Sequence, residues 1–194
     1  MLFLHGFPEF WYAWKHQLNE FSKDHRAVAV DMRGYNLSEK PDDLPAYRLE
    51  TVVADVYELA RQLSPSKKVT LVGHDWGGYI AWAFAGAHPE ALMKLIIINA
   101  PHPTVFANLL KSNPAQQKAS EYMQMFRSNA AEQILSSNEF DFLVKIMAFG
   151  APNGVSAEDK PVYLKAWSQR ARSRVGLITI ARTSHPAMMH ATRA

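Results

Sequence analysis

Two hydrophobic patterns alternate along this chain, short apolar runs and stretches with apolar residues every three or four positions. The short runs predict buried strands at residues 2–4, 26–30, 67–72 and 95–99. The helical spacing predicts helices at residues 14–21, 50–63 and 79–87. Buried strands that alternate with helices indicate an α/β fold, a mostly parallel sheet with helices flanking it.

Polar residues and sharp loops follow each predicted strand. They occupy residues 5–7, 31–33, 75–76 and 99–103. In parallel sheets, ligands bind outside the carboxyl ends of the strands. The four stretches therefore converge on one rim, where we expect the site; within them, Asp31 and Arg33 are expected to hold the loop.

The junction of the third strand and third helix is Gly73-His74-Asp75-Trp76-Gly77. This strand–turn–helix pattern is typical of a nucleophile elbow, with Asp where many hydrolases carry Ser. The glycines allow two backbones to pass closely, while Asp75 sits in a strained turn. A carboxylate is ionised at neutral pH, so Asp75 would attack carbon directly and form an ester. The structural alternative is a tight turn in which Asp75 caps the helix.

Two further stretches allow a functional and a structural interpretation. The His5-Gly6-Phe7-Pro8 loop can point a backbone N–H at a developing oxyanion, or it can simply end a strand. The aromatic residues 10–14 can form core, one wall of an apolar substrate pocket, or both.

After Pro103 the strand pattern stops, and residues 105–147 are helical in pattern and rich in Met and aromatic residues. A helical insertion over the rim of a sheet is typical of a lid. Tyr122 and Phe126 then line a substrate cavity from above, or they form the core of the lid. We divide the chain into a partial core (1–103), a lid (104–169) and a tail (170–194).

Composition narrows the possible functions. The 194 residues are 48% hydrophobic and contain no Cys, which suits one globular domain and excludes disulfides and thiolate metal sites. No apolar run is long enough for a membrane span and no signal-peptide pattern begins the chain, so a cytoplasmic protein is expected. No cofactor or metal is implied, because the nucleophile is a carboxylate and no ligand cluster occurs.

The basic pI comes from the tail. Residues 1–169 hold 16 Lys and Arg against 18 Asp and Glu, whereas residues 170–194 hold five Arg and no acid. Such a tail can bind nucleic acid or anionic lipid. We expect neither partner, because a reading-frame shift explains the composition better.

Four stretches together resemble the α/β-hydrolase family, and within it the epoxide hydrolases and related dehalogenases. They are His5-Gly6-Phe7-Pro8-Glu9-Phe10-Trp11, Asp31-Met32-Arg33-Gly34-Tyr35, Gly73-His74-Asp75-Trp76-Gly77-Gly78 and Asn99-Ala100-Pro101-His102-Pro103. The resemblance runs from residue 1 to about residue 169. It implies a truncated α/β-hydrolase fold and a small-molecule substrate, an epoxide or a halogenated compound.

The same resemblance implies roles for individual residues. Asp75 would be the nucleophile, and the backbone N–H groups of Phe7 and Trp76 would form the oxyanion hole. Tyr122 would donate a hydrogen bond to the epoxide oxygen as general acid. The residues expected to line the substrate pocket are His5, Trp11, His102 and Phe126.

A dehalogenase is the alternative enzyme. There the leaving group is a halide, and indole N–H donors replace the phenol, a role that Trp76 could fill. Tyr122 and the Asn99-Ala100-Pro101-His102-Pro103 stretch favour the epoxide. The alternative of another class is a non-catalytic fragment that binds through its lid or tail, but such a protein has no need of an ionised Asp75 in a strained turn.

The sequence departs from the family pattern at both ends. The family places strands before Leu2, and an orienting acid and a catalytic His after the lid, whereas His185 and His190 lie in no matching context. We therefore expect an ester on Asp75 that forms but does not turn over. Restoring one C after the Gln169 codon permits Pro-Gly-Ala and then Asn-Tyr-Tyr-Arg, so we interpret residues 170–194 as an out-of-frame translation.

Overall fold

The computed structural model describes residues 1–128, 130–149 and 154–169. The expectations for the tail, for His185 and for His190 lie outside the described residues. The strands are β1 (Leu2–Leu4), β2 (Val28–Val30), β3 (Val69–His74) and β4 (Leu92–Ile98). The helices are α1 (Lys15–Phe21), α2 (Leu49–Leu63), α3 (Trp76–Ala87), α4 (Pro103–Ser112), α5 (Pro114–Ala119), α6 (Tyr122–Arg127), α7 (Ala131–Ala148) and α8 (Asp159–Ser168).

Within the described residues, the four strands form one parallel sheet in the order β2-β1-β3-β4. Leu4 of β1 lies opposite Val30 of β2 on one side and Gly73 of β3 on the other. The pairing of β3 with β4 extends as far as His74 opposite Ile98. This arrangement confirms the predicted α/β-hydrolase fold with a parallel sheet and flanking helices.

The position of each strand in the sheet explains its hydrophobic pattern. The central strands β1 and β3 are covered on both faces, and Leu4 and Leu71 are fully buried. A parallel strand between two neighbours therefore consists of consecutive apolar residues. The outer strand β4 alternates instead, with Ile96 and Ile98 each 40% exposed.

Helices cover both faces of the sheet. On one face, Leu2 and Leu4 pack with the apolar sides of α2 and α3. On the other face, Phe3 packs against Trp14, with Leu18 of α1 beside them. Successive strand residues point to opposite faces, so three consecutive apolar residues in β1 support two separate cores.

The lid residues that the structure describes are helical, as the sequence predicts. Leu135 and Leu143 of α7 pack against Tyr163 and Trp167 of α8, and Phe10 of the core part joins this cluster. The backbone of α7 leaves helical geometry at residues 137–140. No helix among the described residues is both long and apolar enough to cross a bilayer.

Candidate active site

Asp75 lies between the last residue of β3 and the first of α3, with φ 51° and ψ −117°. This conformation is strained for any residue except glycine. The turn fits only because its neighbours lack side chains: a Cβ on Gly77 would lie 2.4 Å from the carbonyl oxygen of Leu4, and one on Gly73 would lie 2.4 Å from the carbonyl oxygen of Gly77. The side chain of Asp75 makes no capping hydrogen bond to α3. The structural alternative, in which Asp75 caps the helix, is therefore not supported.

Backbone amides surround the carboxylate of Asp75. The Phe7 N–H donates to Oδ1 at 2.9 Å. Burial raises the pKa of Asp75, and the backbone N–H groups of Phe7 and of the next residue, Trp76, together with the charge of His74, counteract that effect. Of the two amides expected to form the oxyanion hole, the Phe7 amide therefore contacts the expected nucleophile directly.

The loop that carries Phe7 approaches Asp75 as closely as its backbone permits. A Cβ on Gly6 would lie 2.6 Å from the Cβ of Asp75 and 2.7 Å from its Oδ1. We call residues 6–9 the oxyanion loop. Within it, the Glu9 N–H donates to the carbonyl oxygen of Gly6 at 3.1 Å, which closes a tight turn.

An aromatic chain connects the oxyanion loop to the lid. The ring centroids of Phe7 and Phe126 are 5.1 Å apart, and those of Phe126 and Tyr122 are 5.6 Å apart in an edge-to-face arrangement. Tyr122 is 57% exposed; the burial of the rest of the residue raises its pKa, and the negative charge of Asp75 raises it further. Tyr122 of α6 thus lies within electrostatic range of Asp75, and the Phe126 ring lies between the rings of Tyr122 and Phe7.

A pair of ionisable side chains beside Asp75 was not anticipated from the sequence. His74 Nδ1 lies 3.1 Å from Oε2 of Glu9, and both side chains are partly buried. The hydrogen bond to Glu9 raises the pKa of His74 against the opposing effect of burial, and the charges of Glu9 and Asp75 add to the increase. The sequence could have indicated this pair, because Glu9 and His74 are ionisable residues at the carboxyl ends of two adjacent strands.

The structure shows a structural role for His5, and the expectation that His5 lines the substrate pocket stays a prediction. His5 is fully buried, with Nδ1 2.8 Å from the carbonyl oxygen of Gly6 and Nε2 3.1 Å from the amide of Met32. Because a carbonyl only accepts and an amide only donates, these contacts assign the neutral Nδ1–H tautomer. His5 therefore fastens the end of β1 to the segment after β2, with its ring edge-on to Tyr35.

The other expected pocket residues have structural contacts. Trp11 is 39% exposed, and its backbone N–H donates to Oδ1 of Asp31 at 3.0 Å. His102 precedes α4, where its Nδ1 accepts from the Thr104 N–H at 3.3 Å, and its ring packs edge-to-face on Trp82. The pocket role of Trp11 and His102 stays a prediction.

The loop residues after β2 have the structural role that the sequence suggests. Asp31 also accepts from the side-chain amide of Asn36 at 2.9 Å. The guanidinium of Arg33 makes two hydrogen bonds to Asp55, at 2.8 and 2.7 Å. Both residues hold the segment after β2 against its surroundings.

A cleft of about 310 Å³ lies between β2 and α2, and its walls include Asp31, Arg33 and Asp55 but neither Asp75 nor Tyr122. The groups with the chemistry of the candidate site therefore lie outside this cleft. Among the described residues, no three His, Asp or Glu side chains group as metal ligands would.

Comparison with known proteins agrees with this geometry. Residues 1–179 match the family described as the alpha/beta hydrolase fold. The chain therefore belongs to the α/β-hydrolase family, a class of enzymes.

Within that family, several similar proteins are named epoxide hydrolases. Epoxide hydrolase 4 of Mus musculus is 42% identical over 177 residues, which cover 87% of this chain and 49% of the relative. The chain spans about half the length of the curated relatives that it matches first.

Solved structures give the same result. An epoxide hydrolase of Bacillus megaterium in complex with an inhibitor superposes with a TM-score of 0.87 and 41% identity, over 94% of this chain and 64% of that one. A variant of that enzyme has been solved with its product, (R)-3-[1]naphthyloxy-propane-1,2-diol, and matches equally well.

Proposed function

We propose that this chain carries the ester-forming half of an epoxide hydrolase site. The observation that supports it most directly is the hydrogen bond from the Phe7 N–H to Oδ1 of Asp75 at 2.9 Å, in a strained and partly buried turn. Burying a carboxylate destabilises the fold unless the group is paired or hydrogen-bonded, and strongly perturbed carboxylates cluster at functional sites. The neighbouring amides orient that charge without neutralising it.

The proposed first step is ring opening. The Asp75 carboxylate oxygen that is not held by Phe7 attacks an epoxide carbon and forms a C–O ester bond. The ring C–O bond breaks, and its electron pair stays on oxygen as an alkoxide. The phenol of Tyr122 transfers its proton to that oxygen, so the product is a hydroxyalkyl ester and a tyrosinate that is reprotonated from water.

The amides of Phe7 and Trp76 have a role in both steps. During attack they hold the carboxylate in one orientation, which reduces the entropic cost of reaching the reactive geometry. When water later attacks the ester carbonyl, negative charge develops on the oxygen that the Phe7 N–H already contacts, and both amides would stabilise that charge. The diol then leaves and Asp75 is regenerated.

The second step needs a base to activate the water. Among the described residues, His74 is the histidine whose charge acts on Asp75, and its Nδ1 is held by Glu9. The family resemblance assigns the base to a different His, beyond the lid. We therefore propose that the described residues form the ester but hydrolyse it slowly.

Two observations favour an epoxide over a halide. The phenol of Tyr122 is coupled electrostatically to Asp75, and a phenol provides the proton that a leaving alkoxide needs but a leaving halide does not. In addition, several similar proteins are named epoxide hydrolases. The lid aromatic rings and the naphthyl product of the Bacillus megaterium enzyme support an aryl-substituted substrate.

The test is intact mass spectrometry after incubation with 1-naphthyl glycidyl ether, beside an Asp75→Asn control. We expect a mass increase equal to the whole epoxide, located on Asp75 by peptide mapping and absent in the control. An increase in Asp75→Asn, or none in a wild-type chain shown to be folded by circular dichroism, would contradict the proposal. The second result would favour a binding protein without this chemistry.

A further inference from the structure

One face of α8 carries three side chains that all contact the core part of the chain. Asp159, Tyr163 and Trp167 are four residues apart, a spacing that places them one above another on a helix. Their partners lie in residues 8–15, which begin inside the oxyanion loop. The helix therefore packs along the segment that positions Phe7.

The contact of Trp167 is the most specific of the three. Its indole N–H donates to the carbonyl oxygen of Pro8 at 2.7 Å, and both residues are buried. A buried backbone carbonyl is destabilising unless it accepts a hydrogen bond. Trp167 satisfies a group that belongs to the residue immediately after Phe7.

The other two contacts fix the helix that carries Trp167. The carboxylate of Asp159 accepts from Lys15 and from the Tyr12 hydroxyl, and the hydrogen bond from Lys15 is the main reason that the pKa of Asp159 is lowered to about 2. The ring of Tyr163 packs edge-to-face on that of Phe10, with centroids 5.3 Å apart. The contacts of Asp159 and Tyr163 thus fix α8 against the core, and α8 in turn fixes the position of the Trp167 indole.

The oxyanion loop is consequently held from opposite sides. On one side the Phe7 N–H and the Glu9 carboxylate contact Asp75 and His74. On the other side the Pro8 carbonyl contacts Trp167. A rotation of the Phe7–Glu9 backbone that moved the Phe7 N–H away from Asp75 would also break the hydrogen bond to the indole.

We propose that Trp167 is a positioning residue for ester formation, and that its indole N–H keeps the Phe7 N–H directed at Asp75. This inference rests on the proposed function for its catalytic meaning, but its structural part can be measured without any substrate. It also gives the lid a second role, because α8 would then order the oxyanion hole in addition to covering the site.

The test uses Trp167→Phe, which removes the N–H but keeps an apolar ring, and a chain with benzothienylalanine at position 167, which keeps the bicyclic shape. The matched control is Trp14→Phe. Trp14 is also buried, but its Nε1 has no hydrogen-bond partner among the described residues. The control therefore loses indole packing without losing a hydrogen bond.

The first readout is hydrogen exchange at the Phe7 amide, measured by NMR. We expect exchange about tenfold faster in both position-167 variants and unchanged in Trp14→Phe, since loss of one hydrogen bond frees the loop locally. If Trp167→Phe does not fold, exchange at the Phe7 amide of the benzothienylalanine chain tests the inference. Equal exchange in the position-167 variants and the control would overturn the inference.

The second readout is the pH profile of ester formation with 1-naphthyl glycidyl ether. We expect the position-167 variants to react about tenfold more slowly, because the carboxylate of Asp75 is then less well oriented for attack, with the inflection at higher pH because the Phe7 N–H stabilises ionised Asp75. A uniform loss of rate without a pH shift would indicate a purely structural role. Wild-type chain that forms no ester, with exchange at Phe7 still faster in the variants, would refute the proposed function and leave the positioning role standing.

Discussion

The amide nitrogen of Phe7 lies 2.9 Å from Oδ1 of Asp75, although the two residues are 68 positions apart in sequence. The pairing of β1 with β3, with Leu4 opposite Gly73, brings the ends of the two strands together. Each residue follows its strand by a short, tightly turned segment. The nucleophile and its hydrogen-bond donor are therefore positioned by sheet register, and small changes in the loops between them should have large effects.

We expect Gly6→Ala to slow ester formation about 100-fold, because a displacement of about 1 Å at a reactive centre can cost that much. The added Cβ would lie 2.6 Å from the Cβ of Asp75, so the oxyanion loop must move away from the carboxylate. The measurement is the rate of adduct formation by intact mass spectrometry at a fixed epoxide concentration.

Gly86→Ala is the matched control for that variant. Gly86 lies in α3, and a Cβ there would meet nothing within 4 Å. We expect an unchanged rate and a gain in the free energy of unfolding of about 0.5–1 kcal/mol, because Ala is the better helix former. Similar rate losses in the two Gly→Ala variants would show that the approach of Gly6 to Asp75 is not what limits the reaction.

Asp75→Asn should stabilise the folded chain at pH 7. Burial raises the pKa of Asp75 above its value in the unfolded chain, so the protonated form favours folding and this contribution is lost as the pH rises through the folded-state pKa. At pH 7 the wild type therefore contains a buried ionised carboxylate that the variant lacks. We expect a gain of about 1 kcal/mol, a usual size for relieving a destabilised active site.

Urea denaturation at several pH values measures this effect. The difference between wild type and Asp75→Asn should shrink as the pH falls below the ordinary carboxylate range, because Asp75 is then protonated in both the folded and the unfolded state. A variant that is less stable than wild type at pH 7 would mean that the amide hydrogen bonds to the charged form outweigh its burial.

Tyr122→Phe should slow alkylation of Asp75 by an epoxide about 100-fold, since general acid catalysis contributes about 10²–10⁴-fold. A primary alkyl bromide should react equally fast with wild type and variant, because a leaving bromide needs no proton. Tyr57→Phe is the control: Tyr57 lies on α2 with its ring stacked on His88, remote from this reaction. Equal slowing with both electrophiles would assign Tyr122 a packing role.

Glu9→Gln should lower the pKa of His74. The hydrogen bond to Glu9 is the main cause that raises this pKa, whereas burial, which lowers it, remains in the variant. Because the folded-state pKa of His74 is raised, its contribution to stability is present below the unfolded pKa and is lost as the pH rises through the folded pKa. NMR titration of the imidazole resonances measures the change.

Glu90→Gln provides the comparison for that titration. Glu90 lies 3.3 Å from His88 in an exposed pair on the other side of α3. The His74 titration should be unchanged in this variant. If Glu9→Gln also leaves the His74 pKa unchanged, the Glu9–His74 pair does not control the charge beside Asp75.

The limits of sequence inference are visible in particular residues. Asp75 could be identified because a glycine-flanked Asp between an apolar strand and an apolar helix has a local signature. His5 has the same kind of local signal, a polar residue directly after a strand, but that signal did not indicate its structural contacts. Its two ring nitrogens bond to Gly6 and Met32, and only the pairing of β1 with β2 brings Met32 within reach.

By itself, the sequence determined the alternation of strands and helices, the parallel sheet, the elbow and the family, because these depend on periodicity and on short motifs. Tertiary structure decided which side chains meet. The Phe7–Asp75 and Glu9–His74 contacts join residues at the carboxyl ends of two different strands, β1 and β3, and the Trp167–Pro8 hydrogen bond spans 159 positions. Contacts of that range depend on strand register and helix packing, which are set by the whole core and not by the residues that they bring together.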